Sequence, residues 1–442
     1  MNSLAMKTRL VIATDVRFWH AKTGAQRRIH SMVKYLQTQN FEIITLLAAP
    51  LDDSANGRSA SEERRKISAE NLDVRSLIDD WKPVGLMANI VWQVKCIANW
   101  LSTITRGTDN NQTAAPAKTV MYLADFESSL YYERFHQMLN RIQPQTVLVQ
   151  YVTLSYLVPE RRTTHAPNYI VDTHDHLSRR NELFRKHGYQ HWIRITADEE
   201  VAALQKFDSV IAIQHQEQQE FQQMIPGDSD VLVAGHPCEP AAPSTVDETL
   251  NAEFTLGYFG SDNPSNVQAM EWFLDNVWPL ILAKRPETRL LIAGTVCNGL
   301  QDFVAANQQQ NDRPDSIELR PTIDDIPALY RSFQIAINPV QFGTGLKIKN
   351  QEALAYGKPI VTTAQAADAM WPANGFSPII SADEPGEQAD EIVSLATDAE
   401  RLRESAESAL QYAAEKLTAE YIYDSELTAL LRNPRHKSSV KK

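Results

Sequence analysis

The stretch NPVQFGTGLKIKNQEALAYGKPIVTT (338–363) reads as strand, glycine turn, helix, Gly-Lys-Pro turn and strand, the repeating unit of a parallel α/β sheet. Glycine is scarce, 16 in 442 residues, so Gly343 and Gly345 two apart point to a backbone requirement. They let the main chain approach a ligand, and the helix expected over 346–356 points its free N–H groups at the same place. A helix N-terminus is an anion site and suits a diphosphate. Lys347 and Lys349 fall in the expected first turn, where cations oppose the helix dipole. An anionic ligand is the simplest compensation. Glu352, two turns in, has the chemistry to accept hydrogen bonds from two ribose hydroxyls. Taken singly, each of these residues also fits a solvated turn with exposed lysines.

Outward from this unit the same theme recurs. Upstream stand FTLGYFG (254–260), a helix over 265–282, RLLIAG (289–294) and QIAINPV (334–340). Before the proline-rich segment HPCEPAAPSTVDETLNAE (236–253) come RLVIATDV (9–16), a loop with Gly24, a helix through Ile29, Val33 and Leu36, and EIITLLAA (42–49). TVLVQYV (146–152), NYIVDT (168–173), SVIAIQ (209–214) and DVLVAG (230–235) follow, with helical patterns between them. Strands that are apolar throughout and alternate with helices belong to a parallel sheet covered on both faces. Two doubly wound halves joined by a linker follow, with the ligand in the cleft between them.

Composition narrows the function. The net charge of −12 argues against nucleic acid, which needs a basic footprint. Three cysteines, Cys96, Cys238 and Cys297, have no metal-ligand or disulfide-framework spacing. The N-terminus lacks a signal-peptide pattern and no apolar run reaches membrane-spanning length, so a cytoplasmic protein is expected. Residues 84–104 read as a helix covering the sheet, with membrane-surface docking as the sharper alternative. The loop 105–118 reads as polar and mobile. The basic tail 432–442 reads as disordered, with weak attraction to an anionic membrane as its other reading.

The stretch 338–363 resembles the donor-binding signature of family 4 glycosyltransferases of the GT-B fold: a glycine turn, a helix with basic residues, and an E-A-L-A-x-G-K-P pattern, here EALAYGKP (352–359). GYFGSDNPSNVQAMEWFLDNVWPLI (257–281) and IDDIPALYRSFQIAINP (323–339) are similar to flanking segments of that family. IVDTHDHLSRRNELF (170–184) and Gly24 match more loosely. The resemblance implies two Rossmann-like doubly wound domains facing a cleft. The acceptor-side domain is expected over 1–240, a linker over 241–253 and the donor domain over 254–415. A C-terminal helix over 416–433 has the option of packing back on the first domain, before a tail at 434–442.

It further implies transfer of a sugar from a UDP- or GDP-type donor to a glycan or lipid-linked acceptor, with retention and without a metal or other cofactor, in surface or exopolysaccharide assembly. A lipid-linked acceptor would bring a cytoplasmic protein to the inner membrane face as a peripheral partner. The donor contacts are then Gly24, Gly343, Thr344, Gly345, Leu346, Lys347, Lys349 and Glu352. His174 and Lys349 are the catalytic candidates, supported by Asp172, Asp175 and Arg28. The family often pairs two glutamates seven residues apart, and Thr344 stands where the first would fall. An Arg/Lys pair common after the first strand of its second domain is here GSDNPSN (260–266), and Lys347 and Lys349 are candidates to supply that charge.

Other readings stay open at this level. His174 is equally a helix cap or an internally bonded histidine, and Asp175 equally an N-cap. Arg27 and Arg28 read as solvated or acceptor-facing. Glu199 and Glu200 read as the start of an amphipathic helix without chemistry. Asp172, His174 and His176 at alternate positions suggest a metal-dependent phosphohydrolase, though its further motifs are missing. Asp228 and Asp230 form a DxD that reads as a turn. A nucleotide-sugar-binding module without catalysis, and a hexosamine 2-epimerase sharing the fold, are the remaining alternatives.

Overall fold

Seven strands make the first sheet, in the order β3-β2-β1-β5-β6-β8-β9, and six make the second, in the order β12-β11-β10-β13-β14-β15. The first comprises β1 (Thr8–Thr14), β2 (Phe41–Leu47), β3 (Val74–Ser76), β5 (Thr146–Gln150), β6 (Asn168–Asp172), β8 (Ser209–Ala212) and β9 (Asp230–Val233). The second comprises β10 (Thr255–Phe259), β11 (Arg289–Ala293), β12 (Ile317–Arg320), β13 (Ile335–Asn338), β14 (Ile360–Thr362) and β15 (Ile379–Ser381). A short pair, β4 (Met121–Tyr122) and β7 (Ile193–Arg194), lies apart. This computed structural model describes residues 7–53, 57–80, 120–161, 166–225, 230–242, 254–310, 315–367, 378–423 and 425–432. The expected helix over 84–104, the loop 105–118, Cys96, Asp228, the tail from 433 and most of the linker lie outside them.

Every pairing within the two large sheets is parallel, with Thr8 opposite Phe41 and Leu256 opposite Leu290 as examples of the register. Alternate residues therefore serve opposite faces. Val11 and Ala13 pack with Phe135, Val147 and Phe221 on one face of the first sheet. Leu10 and Ile12 pack with Ile29, Val33 and Leu36 of the helix Gly24–Thr38 on the other. In the second sheet Leu290 and Ile292 face Phe273 and Trp278, while Leu291 and Ala293 face Leu354 and Ala409. Coverage on both faces explains why the strands carry so few polar residues.

In each sheet the strand order reverses beside the first strand, between β1 and β5 and between β10 and β13. Such a reversal leaves a crevice at the strand C-termini. One helix expected over 265–282 is two, Pro264–Asn276 and Trp278–Lys284. Pro279 lacks the N–H that an uninterrupted helix needs, and it stands where the second helix begins. The helix of the glycine-turn unit is shorter than expected, Ile348–Ala355, because Lys347 keeps a non-helical backbone (φ −82°, ψ 76°). Cys238 and Cys297 are both buried and free.

After Lys416 the chain returns to the first domain. Ile422, Tyr423, Leu427, Leu430 and Leu431 join the cluster around Leu10 and Ile12. Thr146 Oγ1 donates to the Leu431 carbonyl at 2.9 Å. Leu431 is fully buried there. Leu431→Ala is expected to cost about 2–5 kcal/mol, and hydrogen exchange should quicken in β1 and β5 while β10 and β11 stay protected. Equal loosening of both sheets would contradict this packing.

Candidate functional site

Two helices begin at the crevice of the second sheet. Pro264–Asn276 follows β10, with Asn263 accepting from the Ser265 amide at 3.0 Å. Ile348–Ala355 follows β13, and among the described residues no side chain caps it. Between their first turns lies the Lys349 ammonium, donating to Tyr258 Oη and Asn266 Oδ1, each at 2.7 Å. It also stands over the Tyr258 ring, 4.4 Å from its centre. Burial of the amine, with the nearby Lys347 second, lowers its pKa to about 7. A cation held by neutral partners between two positive helix ends is suited to an anion.

The glycine turn is formed as its sequence requires. Gly343 (φ 138°) and Gly345 (φ 76°) occupy backbone regions that disfavour side chains. Lys347 does not stand in the helix's first turn, as expected, but at the preceding N-cap position. Its ammonium turns back to the carbonyls of Gly345 (3.0 Å), Thr344 (3.4 Å) and Gly343 (3.5 Å), so it braces the turn.

The loop meets the first domain at several points. Thr344 Oγ1 donates to Asp175 Oδ1 at 2.8 Å. Arg180 pairs with the other oxygen of Asp175. Burial works to raise the Asp175 pKa, but Arg180 and Thr344 outweigh it and hold the carboxyl below its usual value. Asp175 is therefore not an N-cap; His176 takes that position, without a capping bond of its own. Phe342 stacks on His187, with centroids 4.1 Å apart, and on Tyr189 at 5.7 Å. A Cβ on Gly235 would lie 3.8 Å from Leu346, and one on Gly24 would lie 2.7 Å from Ile348. Gly24 is the first residue of its helix, not a turn residue, and the start of the Ile348–Ala355 helix packs against it. Glu352 pairs with Arg27 at 2.7 Å and accepts from Tyr330 Oη at 3.3 Å.

Arg28 is not solvated, as one reading had it, but buried. It is 3% exposed, pairs with Asp172 at 2.6 Å and donates to the Gly235 carbonyl. Beside this pair sits His174, whose Nε2 is 2.6 Å from Gln150 Oε1 and 3.6 Å from Asp172 Oδ2. Its ring stacks on Tyr151, centroids 4.1 Å apart. Both residues have positive φ, 61° and 71°, a strain that tends to gather at functional sites. Burial, countered by Asp172 and assisted by Arg28, lowers the His174 pKa to about 4. His236 is also buried, with its pKa lowered to about 3 by burial and then by Arg27, Arg28 and His174.

Asp172 and His174 thus adjoin each other, but His176 is elsewhere, 2.9 Å from Glu220 and edge-on to Phe221. Among the described residues no group of three or more His, Cys, Asp or Glu is placed to hold a metal ion. Glu200, expected to be idle on a helix surface, is buried and accepts from the amides of Leu177 and Ser178 at 2.9 and 2.8 Å. It caps the helix that follows His174. Glu199 closes a capping box with Thr196. Tyr258, Asn266, Gln150, Tyr151 and His236 were missed as site residues. They lie at or after the C-terminal ends of β5, β9 and β10, Gln150 and Tyr258 as the last and next-to-last residues of their strands and Asn266 in the first turn of the following helix, and that placement is the one signal that would have found them.

Two doubly wound sheets meeting at their strand C-terminal edges define a GT-B protein, and the comparisons agree. Residues 253–398 match the family model described as glycosyl transferases group 1, so the second domain is a glycosyltransferase domain. The chain is similar to Anabaena HepE solved with UDP and glucose (TM-score 0.61, 15% identity, 96% of this chain and 99% of that one). It is similar to the sucrose-phosphate synthase of Thermosynechococcus elongatus (0.65, 12%, 96% and 98%). An S. aureus TarM variant with fondaparinux, α-GlcNAc-glycerol and UDP is another neighbour (0.63, 11%, 96% and 100%). At these identities the likeness establishes the fold. A Klebsiella pneumoniae relative, an uncharacterized 44.6 kDa protein in the cps region, is 25% identical over 163 residues, 37% of this chain and 42% of the relative. The matched region spans less than half the length of that relative. Among the described residues no helix is long and apolar enough to cross a membrane.

The His174 environment has a measurable consequence. The unfolded chain takes up the imidazole proton at about 6.5, whereas the folded one resists it down to about 4. Stability therefore falls as pH drops from the upper value to the lower. Imidazole NMR should show His174 neutral down to about pH 5, and His174→Gln should remove part of the acid sensitivity. A His174 titration near neutrality would contradict the geometry described.

Proposed function

We propose that the chain transfers a sugar from a uridine diphosphate donor to a glycan or lipid-linked acceptor, with retention. The observation that carries this is Lys349 between two helix N-termini at the strand-order reversal of a glycosyltransferase domain. That arrangement suits a diphosphate. The UDP bound in the HepE and TarM neighbours favours uridine over guanosine as the base.

In this reading the Gly343–Leu346 turn approaches the diphosphate, Lys349 neutralises the leaving phosphate, and Glu352 accepts from the ribose. Gly24, expected to approach the donor, instead lets the start of the Ile348–Ala355 helix close against the first domain. His174, neutral, contacts the sugar through the nitrogen not engaged by Gln150, and the Arg28–Asp172 pair fixes its surroundings. The bond from the anomeric carbon to the phosphate oxygen breaks as the acceptor oxygen bonds to the same face, and the acceptor proton passes to the leaving phosphate. Helix amides and Lys349 stabilise the charge growing on that phosphate, a role that needs no metal. The cps-region relative supports a place in surface polysaccharide assembly, and a lipid-linked acceptor would bring the protein to a membrane's inner face.

A nucleotide-sugar panel scored for binding, transfer, donor hydrolysis and epimerised product tests this reading. Glu352→Ala and Lys349→Ala should each weaken the accepted donor by about 1.5–3 kcal/mol, roughly 10- to 100-fold. Transfer should persist in a chelator. Unchanged affinity in both variants would sink the donor site, and abolition by the chelator would sink the metal-free chemistry. Binding without turnover would favour a binding module instead.

A second test uses the Lys349 amine, at about 7. A diphosphate favours the ammonium form, so donor binding near neutral pH should take up protons, and affinity should fall as pH rises above that value. Calorimetry in buffers of different ionisation enthalpy reads the uptake directly. Lys349→Arg, charged at every pH, should abolish it.

A further inference from the structure

Arg27 comes from the first domain, yet its guanidinium lies 2.7 Å from Oε1 of Glu352 in the second. The contact follows from how two helices meet. Gly24 opens one helix and packs against Ile348, which opens the other, and a Cβ at Gly24 would come within 2.7 Å of it. About one turn further along each helix, Arg27 faces Glu352. Glu352 is 7% exposed, and its Oε2 accepts from Tyr330.

We propose that Arg27 is a positioning residue for the nucleotide: from across the seam it keeps the Glu352 carboxylate ionised and aimed, so that both ribose hydroxyls find acceptors there. The inference rests on the reading of Glu352 as the ribose acceptor. A carboxylate offers about four lone-pair sites. Tyr330 occupies one by a hydrogen bond and Arg27 faces the other oxygen as an ion-pair partner, which leaves acceptor sites for the ribose. A protonated carboxyl would surrender one of them. The groups facing Glu352 are Arg27 from the first domain, Tyr330 from the helix Ile326–Arg331, Tyr356 at the end of its own helix and Cys238 from the segment between domains. Arg27 is the cation in that set. Burial pushes the Glu352 carboxyl up, and Arg27 is the larger of the two influences opposing it. Ribose recognition in the second domain thereby depends on closure of the first.

The experiment is titration calorimetry of the full chain with UDP and with 2′,3′-dideoxy-UDP, across pH. It compares the wild type with Arg27→Gln, Arg27→Lys and Glu352→Gln. Arg27→Gln should weaken UDP, by up to roughly tenfold where the carboxyl is protonated, the size of one lost charged hydrogen bond. The loss should shrink as pH rises and the carboxyl ionises again. Arg27→Lys should recover most of the affinity. Dideoxy-UDP should bind Arg27→Gln and wild type alike, which a merely structural role would not produce. Equal loss for both nucleotides, or no loss in Arg27→Gln while Glu352→Gln weakens UDP, overturns the inference. If Glu352→Gln binds UDP as the wild type does, the ribose role of Glu352 falls first and the inference falls with it.

Discussion

A parallel sheet covered by helices has one chemically distinctive edge, because every strand ends there and every following helix begins there. Side chains just past the strands are held by the sheet yet not consumed by its core, and the helix N-termini supply a positive potential. This chain sets two such edges against each other. Gly24 follows β1, Asp175 follows β6, Ile213 follows β8 and Gly235 follows β9, while Phe342 to Leu346 follow β13. Contacts of those segments with one another, such as Thr344 with Asp175, cross the seam. The stacking of Phe342 on His187 and the Arg27–Glu352 pair add residues on helices or at a helix end to it. The position of the site is thus a consequence of strand direction more than of any single residue.

Placing charge in such a seam is costly unless it is paired and hydrogen-bonded. Asp172 meets this with Arg28, which also binds the Gly235 carbonyl. Asp175 meets it with Arg180 and Thr344. Glu352 meets it with Arg27 and Tyr330. His174 and His236 take the other course and stay neutral. Lys349 is satisfied by a phenol and an amide, and burial first and the nearby Lys347 second lower its pKa. The carboxylates are matched within the protein, and the lysine is the group whose charge an incoming anion would improve.

What could be read from the sequence divides along the same line. Apolar strands alternating with amphipathic helices led to two doubly wound sheets, since burial on both faces leaves an unmistakable pattern. The glycine turn was legible because positive φ at Gly343 and Gly345 restricts the residue type. Pairing across the seam left no such mark. Arg27 has the same periodic signature whether it meets solvent or Glu352, and Glu200 looks like any helix-surface carboxylate until the amides of Leu177 and Ser178 arrive from another helix. Lys347 was misplaced because helix periodicity does not report where the first turn begins, and its ammonium was free to brace the preceding carbonyls.

Thr344 shows what the seam adds. A hydroxyl at that position cannot replace a carboxylate's charge, so the glycine loop read alone lacks an acceptor that the family resemblance leads one to expect. The folded chain nevertheless has a carboxylate there, from the other domain. Asp175 Oδ1 accepts from Thr344 at 2.8 Å and would be 3.3 Å from a Cβ on Gly345. Arg180 and Thr344 keep it acidic despite its burial. The same division holds at Glu352, where the carboxylate belongs to the second domain and its cation to the first. Each domain therefore holds part of the charge found beside the loop. Separating the domains would leave Thr344 without this acceptor and Glu352 without its cation, while the helix N-termini and Lys349 would remain intact within the second domain. Anion attraction can operate in the second domain alone, whereas the paired carboxylates beside the loop exist in this form only when the two edges meet.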